Sequence, residues 1–356
     1  MGMAKPKCVI TAEVVEPYLS QIKELCDVTV CGWASKKRLM PEEELIGHLK
    51  GAEVFIVEFE QVTRRVIGSC PDLKLVMCVR GNPVNVDAAA CTARGIPLLF
   101  APGRNANSVA EYIVGAMISL VRSIARSYHE IRNGRFLGEP KEDIYDVKYR
   151  DDMVWSMNTP GANPYLEFKG FEVYGKTFGM VGYGAVGRKL SGILLAMGMR
   201  VMAFDPYVPP EELAADGIEP ASMEDVFSRS DFVSIQCKVT EETKGMIGPR
   251  EFSLMKPTAI FINTARAVIV DQKALMDALT EKRIAGAVLD VFWEEPLPSN
   301  HPLLGMDNVL ITPHIAGASR DVPVQHSLMV VDEVSRYVKG ESPKRLFNRD
   351  VMRNIE

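Results

Sequence analysis

Polar residues stand just after three apolar runs in the last third of the chain. Arg266 follows Ala259–Asn263, Glu294 and Glu295 follow Gly286–Val291, and His314 follows Val309–Thr312. In an open parallel sheet, ligands bind outside the carboxyl ends of the strands. Strands at these runs would therefore bring a cation, a carboxylate and an imidazole to one edge. Such a set suits the reduction of a 2-oxo acid, which needs a hydride donor, a proton donor for the forming alkoxide and a cation for the acid. An unperturbed histidine titrates at about pH 6.5, so His314 would give the proton in reduction and take it back in oxidation. A carboxylate on the far ring nitrogen would favour the charged ring; periodicity does not separate Glu294 from Glu295. Arg266 would hold the carboxylate and carbonyl oxygens with its planar fork. A lone arginine is usually a surface cation and a lone histidine often a structural one. Three such residues at one active edge argue against coincidence. His48, His129, His301 and His326 lack this context and read as structural or surface residues.

The hydride donor has its own signature. Gly182-Tyr183-Gly184-Ala185-Val186-Gly187 fits G-x-G-x-x-G between an apolar run, Phe178–Val181, and an amphipathic stretch, Arg188–Met197. Asp205 closes the next apolar run, 18 residues beyond Gly187. The context is that of a dinucleotide-binding turn. Gly182 allows the tight turn, Gly184 lets a pyrophosphate approach the backbone, and Gly187 lets helix pack on strand. The helix N-terminus offers unpaired N–H groups to the phosphates. Asp205 would accept hydrogen bonds from the ribose hydroxyls and repel a 2′-phosphate. The expected cofactor is therefore NAD rather than NADP.

Positioning these groups requires alternating strands and helices. In the first hundred residues, strands are expected at Cys8–Val14, Val54–Glu58, Leu73–Val79 and Pro97–Ala101, with helices at Val15–Leu25, Pro41–Leu49 and Asp87–Arg94. The spacing of Val109, Ile113, Met117, Leu120 and Ile124 predicts one helix from Ser108 to about Ile131, opened by a Ser108/Glu111 capping box. A second alternating set begins at Thr177. Its strands are expected at Phe178–Val181, Arg200–Phe204, Phe232–Gln236, Ala259–Asn263, Gly286–Val291 and Val309–Thr312. Its helices are expected at Ala185–Met197, Met223–Ser228, Gln272–Lys282 and Val322–Val338. Alternation of this kind means crossover units and parallel sheets. The fold class is α/β, with two doubly wound, Rossmann-like domains. Residues 134–176 lack a period and read as an arm, lid or solvated loop. The tail after Gly340 is expected to pack over the surface.

Composition narrows the partners. A net charge of −5 argues against a nucleic-acid partner. The seven cysteines form no C-x-x-C pair or Cys/His cluster, so no metal is expected. They read as buried free thiols in a reducing compartment, the cytoplasm. No run approaches the roughly 18–20 apolar residues of a membrane span. No signal peptide is evident, and Pro6 spoils a myristoylation pattern.

The motifs taken together resemble the D-isomer-specific 2-hydroxyacid dehydrogenase family, from about residue 50 to about 335. The resemblance rests on Ser108-Val109-Ala110-Glu111, the Gly182–Gly187 turn with Asp205, and Ile262-Asn263-Thr264-Ala265-Arg266. It continues in Leu289-Asp290-Val291-Phe292 with Glu295-Pro296, and in Thr312-Pro313-His314-Ile315-Ala316-Gly317. It implies that Arg266, Glu295 and His314 are catalytic, and it selects Glu295 because that carboxylate precedes a proline. It implies cofactor contacts from Val109, Ala185, Val186, Thr264, Ala265 and Asp290. It further implies a discontinuous substrate domain, residues 1–108 and 320–356, and an NAD-binding domain, 109–319, with the active site in the cleft between them. A homodimer would form through the cofactor domain.

The chain departs from the family pattern in three places. Ala267 replaces a glycine after the arginine, with little loss expected if its φ is negative. Gln236 and Lys238 replace the usual histidine and proline near the adenosine. In the loop that meets the substrate carboxylate, Arg80, Gly81 and Asn82 include larger, more polar residues than usual. That loop suggests a substrate with hydroxyls or a second anion, a sugar acid or phosphorylated acid, with Arg104 as a second cation. The alternatives are a non-enzymatic, NAD-sensing corepressor and a formate- or phosphite-type dehydrogenase. The carboxylate at 295 disfavours the formate enzyme, since formate oxidation needs no proton donor.

Overall fold

The structure is a computed structural model that describes residues 4–137 and 163–354. Two compact units emerge from its contacts, one of residues 1–105 with 318–356 and one of residues 106–317.

The first unit is built on five short strands: β1 (Lys7–Ile10), β2 (Asp27–Val30), β3 (Val54–Val57), β4 (Leu75–Cys78) and β5 (Leu98–Phe100). They form one parallel sheet in the order β2-β1-β3-β4-β5. β3 and β4 are buried along their whole length, which is why VFIV and LVMC are apolar without alternation. One face is covered by the helices Glu42–Leu49, Arg64–Ser69 and Ala88–Ala93. On the other face, Ile22 packs with Cys8, Ile10, Val330 and Val334. The last two come from the Val322–Lys339 helix, so the end of the chain completes the core begun at its start.

The second unit carries β6 (Thr177–Val181), β7 (Arg200–Phe204), β8 (Glu219–Pro220), β9 (Phe232–Ile235), β10 (Ile260–Asn263), β11 (Gly286–Leu289) and β12 (Val309–Ile311). These make a seven-stranded parallel sheet, β12-β11-β10-β9-β6-β7-β8. Every carboxyl end therefore lies on one edge. Helices Ala106–Val121 and Ala185–Ala196 contribute to the core on one face, and Met223–Arg229, Pro249–Leu254 and Gln272–Thr280 to that on the other. Both units are doubly wound α/β folds.

Some local expectations need correction. The single helix predicted over 108–131 is two, Ala106–Val121 and Ile124–Arg132, separated at Ser123, whose φ is +54°. The apolar period runs across the break because periodicity reports the spacing of apolar side chains, not hydrogen bonding; the second helix buries none of its residues. The segment at Gly170 closes on the end of the first helix so tightly that a Cβ there would lie 1.8 Å from the Val121 carbonyl oxygen. The predicted capping box is not the cap, because the helix begins two residues earlier, at Ala106. β2 and the short helices Gly32–Lys36, Arg64–Ser69, Pro210–Ala215 and Pro249–Leu254 are absent from the sequence reading. Within the expected arm, the described part holds one helical turn, Pro164–Glu167; residues 138–162 lie outside the described residues.

Nor does the tail simply cover the surface. Leu346 pairs antiparallel with Leu99, and Phe100 and Phe347 donate backbone N–H groups to Arg345 and Leu98. Asn348 then bridges three groups: its Oδ1 accepts Leu98 N–H at 2.8 Å, and its Nδ2 donates to Thr92 Oγ1 and the Ile96 carbonyl, both at 3.0 Å. Among the described residues no single helix is long and apolar enough to cross a membrane. Replacing Asn348 with Ala leaves a buried N–H and carbonyl unpaired. We expect a loss of about 1–3 kcal/mol, read as a lower midpoint in urea unfolding with an unchanged slope.

Candidate active site

The glycine turn follows β6. Gly182 has φ +98°, and a Cβ there would lie 2.7 Å from the Cys237 backbone nitrogen. Side chains are excluded on both counts. Gly184 caps the Ala185–Ala196 helix without any side-chain hydrogen bond, and a Cβ there would meet nothing within 4 Å. The first turn, with Ala185 and Val186, thus opens on free space, and its N–H groups are not spent on a cap. Gly187 is buried against Tyr183 and Met180. Asp205, one residue past β7, accepts the Tyr183 N–H at 2.7 Å on one oxygen and the Tyr207 N–H at 2.9 Å on the other. An ionised carboxylate has about four acceptor positions, so each oxygen keeps capacity for another donor.

Three neighbouring strands, β10, β11 and β12, present the other groups. Arg266 is exposed three residues beyond β10, and its Nη1 donates to the Ala265 carbonyl at 2.6 Å. Glu295 Oε2 meets His314 Nδ1 at 2.8 Å, while its Oε1 accepts the Phe292 N–H at 3.0 Å. Both side chains stay about two-fifths exposed, at 38% and 41%. Desolvation pushes the Glu295 carboxyl up. The hydrogen bond from His314, the Phe292 N–H and the positive charges of His314 and Arg266 outweigh it, and the pKa falls below the ordinary glutamate value. Arg266 and His314 therefore both act electrostatically on the Glu295 carboxylate. They leave the same edge of the sheet as the glycine turn. Glu294 stands exposed with no side-chain bond to His314.

Backbone positions follow from local hydrogen bonds that the sequence reading did not find. Asn263, at the end of β10, accepts the Ala265 N–H at 3.0 Å and donates to the Arg266 carbonyl at 3.1 Å. It folds Thr264–Arg266 into a bracketed loop. The signal was available, since asparagine at a strand end commonly bonds its own backbone two residues on. Ala267 is not among the residues with positive φ, so its methyl group fits. Asp290 is fully buried. It accepts Thr312 Oγ1 at 2.6 Å, Ile315 N–H at 2.8 Å and Ala316 N–H at 2.7 Å. Those donors flank His314, whose φ is +57°. Val109 is buried in the Ala106–Val121 helix.

The first unit holds the loop that departs from the family pattern. Arg80 lies over the Phe59 ring at 5.5 Å, with no carboxylate in ion-pair range among the described residues. Gly81 and Asn82 are exposed beside it. Arg104 is no second cation for a substrate: its Nη1 is 2.7 Å from Glu58 Oε1 and 3.0 Å from His326 Nδ1, and only 17% of its side chain is exposed. Its charge is neutralised inside the unit.

A cavity of about 670 Å³ opens beside the Glu295–His314 pair, walled by Phe292, Leu297, Leu304 and Ile311. Its size is that of a small-molecule site. A nicotinamide dinucleotide fits the residues of the second unit. Gly184 leaves room at the helix N-terminus, Asp205 keeps acceptor capacity, and Thr264 Oγ1 is buried without a hydrogen-bond partner among the described residues.

A seven-stranded doubly wound sheet with this turn and this edge defines a nicotinamide-dependent dehydrogenase. Residues 114–316 match the model of the D-isomer specific 2-hydroxyacid dehydrogenase, NAD binding domain. The chain is 37% identical over 362 residues to "Putative 2-hydroxyacid dehydrogenase YoaD" of Bacillus subtilis, covering 99% of this chain and 98% of that one. A glyoxylate reductase of Thermofilum pendens is 33% identical, covering 99% and 97%. The apo-structure of D-lactate dehydrogenase from Escherichia coli matches with a TM-score of 0.70 and 26% identity, covering 95% of this chain and 99% of that one. The chain belongs to the D-isomer specific 2-hydroxyacid dehydrogenase family, NAD(P)-dependent oxidoreductases of 2-hydroxy and 2-oxo acids.

The lowered pKa of Glu295 has a sign that can be checked. A depressed carboxyl contributes above its unfolded value, about 4.3, and loses that contribution as pH falls through the folded value. Reduction should therefore persist below the usual glutamate range before the pair is lost. Glu295→Gln removes the charge, and the alkaline limb of the kcat/KM profile for reduction should move to lower pH. Superimposable profiles would show that the carboxylate does not govern the site.

Proposed function

We propose that this protein transfers a hydride between NAD(H) and C2 of a small D-2-hydroxy/2-oxo acid. The observation that carries this reading is the 2.8 Å bond between Glu295 and His314, on the sheet edge that also bears Arg266 and the glycine turn. Gly182, Gly184, Ala185, Val186 and Gly187 hold the pyrophosphate, and Asp205 takes the ribose hydroxyls. Thr264, Ala265, Asp290 and Val109 line the nicotinamide end. Bound there, the cofactor supplies or accepts the hydride. Arg266 binds the substrate carboxylate and orients the 2-oxo group. His314 Nε2 donates a proton to the carbonyl oxygen during reduction, while Glu295 holds Nδ1 and stabilises the imidazolium. The family's stereochemistry is D.

Asp205 favours NAD over NADP, because a 2′-phosphate would meet its charge. Arg80, Gly81 and Asn82 contribute substrate contacts. Arg80, without a carboxylate partner among the described residues, favours an acid that bears hydroxyls or a second anionic group, such as a sugar acid or a phosphorylated acid. A homodimer through the cofactor-binding unit is supported by the Ile124–Arg132 helix, where Ile124, Tyr128 and Ile131 are 52%, 67% and 50% exposed at one-face spacing. Free cysteines, six of them buried, fit a reducing compartment, in our reading the cytoplasm.

A panel of 2-oxo acids followed by NADH absorbance tests the activity. His314→Ala should lower kcat/KM by about 10²-fold or more while NADH binding persists. Absence of turnover with every acid, or activity untouched by that substitution, would sink the assignment. NADH should outperform NADPH in kcat/KM. Better turnover of pyruvate and glyoxylate than of every polyhydroxy or phosphorylated acid would remove the role given to Arg80. Light scattering should return twice the chain mass, and Tyr128→Glu should move it towards one chain.

A further inference from the structure

The groups described so far do not account for a polar side chain on the Ala106–Val121 helix. Tyr112 is half-buried there, and its hydroxyl meets Thr312 Oγ1. The order of the protons follows from valence. Thr312 Oγ1 has one hydrogen, and Asp290 as a carboxylate can only accept. Thr312 therefore donates to Asp290 Oδ1 at 2.6 Å. The Tyr112 hydroxyl must then donate to Thr312. The chain runs Tyr112 to Thr312 to Asp290, and it ends on a carboxylate that also takes the N–H groups of Ile315 and Ala316.

This arrangement encloses His314 from both sides in sequence. Thr312 lies two residues before it, and Ile315 and Ala316 lie just after. The His314 N–H itself donates to the Thr312 carbonyl at 2.9 Å, across Pro313. His314 sits at φ +57°, a left-handed conformation disfavoured for a side chain with a Cβ. A residue persists there only when its surroundings over-determine it. The surroundings that do so are Asp290 and the two hydroxyls aligned on it.

We infer that Tyr112 and Thr312 are positioning residues, which fix the backbone turn that aims the His314 ring at Glu295. Thr312 also lines the cavity beside the Glu295–His314 pair; in the role inferred here both residues act through Asp290 and the turn. The catalytic use of the turn rests on the function proposed above. The hydrogen-bond chain and its effect on the ring do not.

Tyr112→Phe removes one hydroxyl and keeps the ring. Thr312→Val keeps the shape and removes the central link, and Thr312→Ser restores the link. Two readouts are needed. In proton NMR, the downfield Nδ1–H signal of His314, assigned by its loss in His314→Asn, reports the bond to Glu295 without turnover. It should broaden or vanish in Thr312→Val, weaken in Tyr112→Phe and return in Thr312→Ser. In kinetics, kcat for reduction should fall at least about threefold in Tyr112→Phe and about tenfold or more in Thr312→Val, with the KM for NADH unchanged within about twofold. An unaltered His314 signal and kcat in both Tyr112→Phe and Thr312→Val would overturn the inference. So would a Thr312→Val protein that loses NADH binding in fluorescence titration, since the link would then shape the whole site rather than the ring. Failure of the wild-type protein to reduce any 2-oxo acid would instead defeat the proposed function, and the NMR comparison would still decide this point.

Discussion

A fully buried carboxylate cannot be left without donors, and the second unit is arranged around meeting that demand at Asp290. Removing a charged carboxylate from water is costly unless hydrogen bonds replace the lost hydration. Here the replacements come from one short turn, Thr312 to Ala316, and the turn must bend to deliver them. That bend carries His314 through a left-handed conformation and presents its ring to Glu295. The hydrogen-bonded Glu295–His314 pair at the surface thus depends on a buried carboxylate beneath it. Preorganisation of this kind holds a side chain in a working geometry before any ligand arrives.

The first unit follows the same rule with different residues. Glu58 and His326 are buried and share the guanidinium of Arg104. His326 Nε2 lies 2.6 Å from the Glu13 carbonyl oxygen, so the ring is hydrogen-bonded at both nitrogens. Burial keeps its pKa below the ordinary histidine value, against the pull of the Glu13 carbonyl and the Glu58 charge. Glu333, also buried, pairs with Arg345 and takes the backbone N–H groups of Lys344 and Arg345. These contacts tie the last helix and the tail to the sheet edge at β5. A return of the chain over more than two hundred residues is thereby made specific as well as apolar.

Parallel topology explains why so few residues suffice for the site. With all strands of a sheet pointing one way, every strand ends at the same edge. Loops after β6, β7, β10, β11 and β12 need only a few residues to place a glycine turn, an aspartate, an arginine, a glutamate and a histidine. The remaining detail is set by short-range bonds such as the Asn263 bracket, which belongs to its loop and not to the sheet.

The sequence alone determined the alternation of strands and helices, the glycine turn and the three polar residues at strand ends. Each of these is a local pattern: apolar runs mark buried strands, glycine marks a backbone that needs room, and strand ends follow from run lengths. Elements with little burial left weak traces, so β2, with three of its four residues exposed and none buried, went unread. The long apolar period across Ser123 concealed a helix break, because the apolar spacing continues where the hydrogen-bond ladder stops, even though the second helix buries none of its residues. Arg104 and Arg80 were indistinguishable as loop cations, and only folding showed that one is neutralised by Glu58 while the other has no carboxylate in range among the described residues. Resemblance chose Glu295 over Glu294, but the bond itself exists only in three dimensions, where a turn closed by residues 290, 312, 315 and 316 brings position 314 to position 295. Long-range hydrogen bonds leave no periodic mark in a sequence, and they are what decided the directions of Glu295, His314 and Arg104.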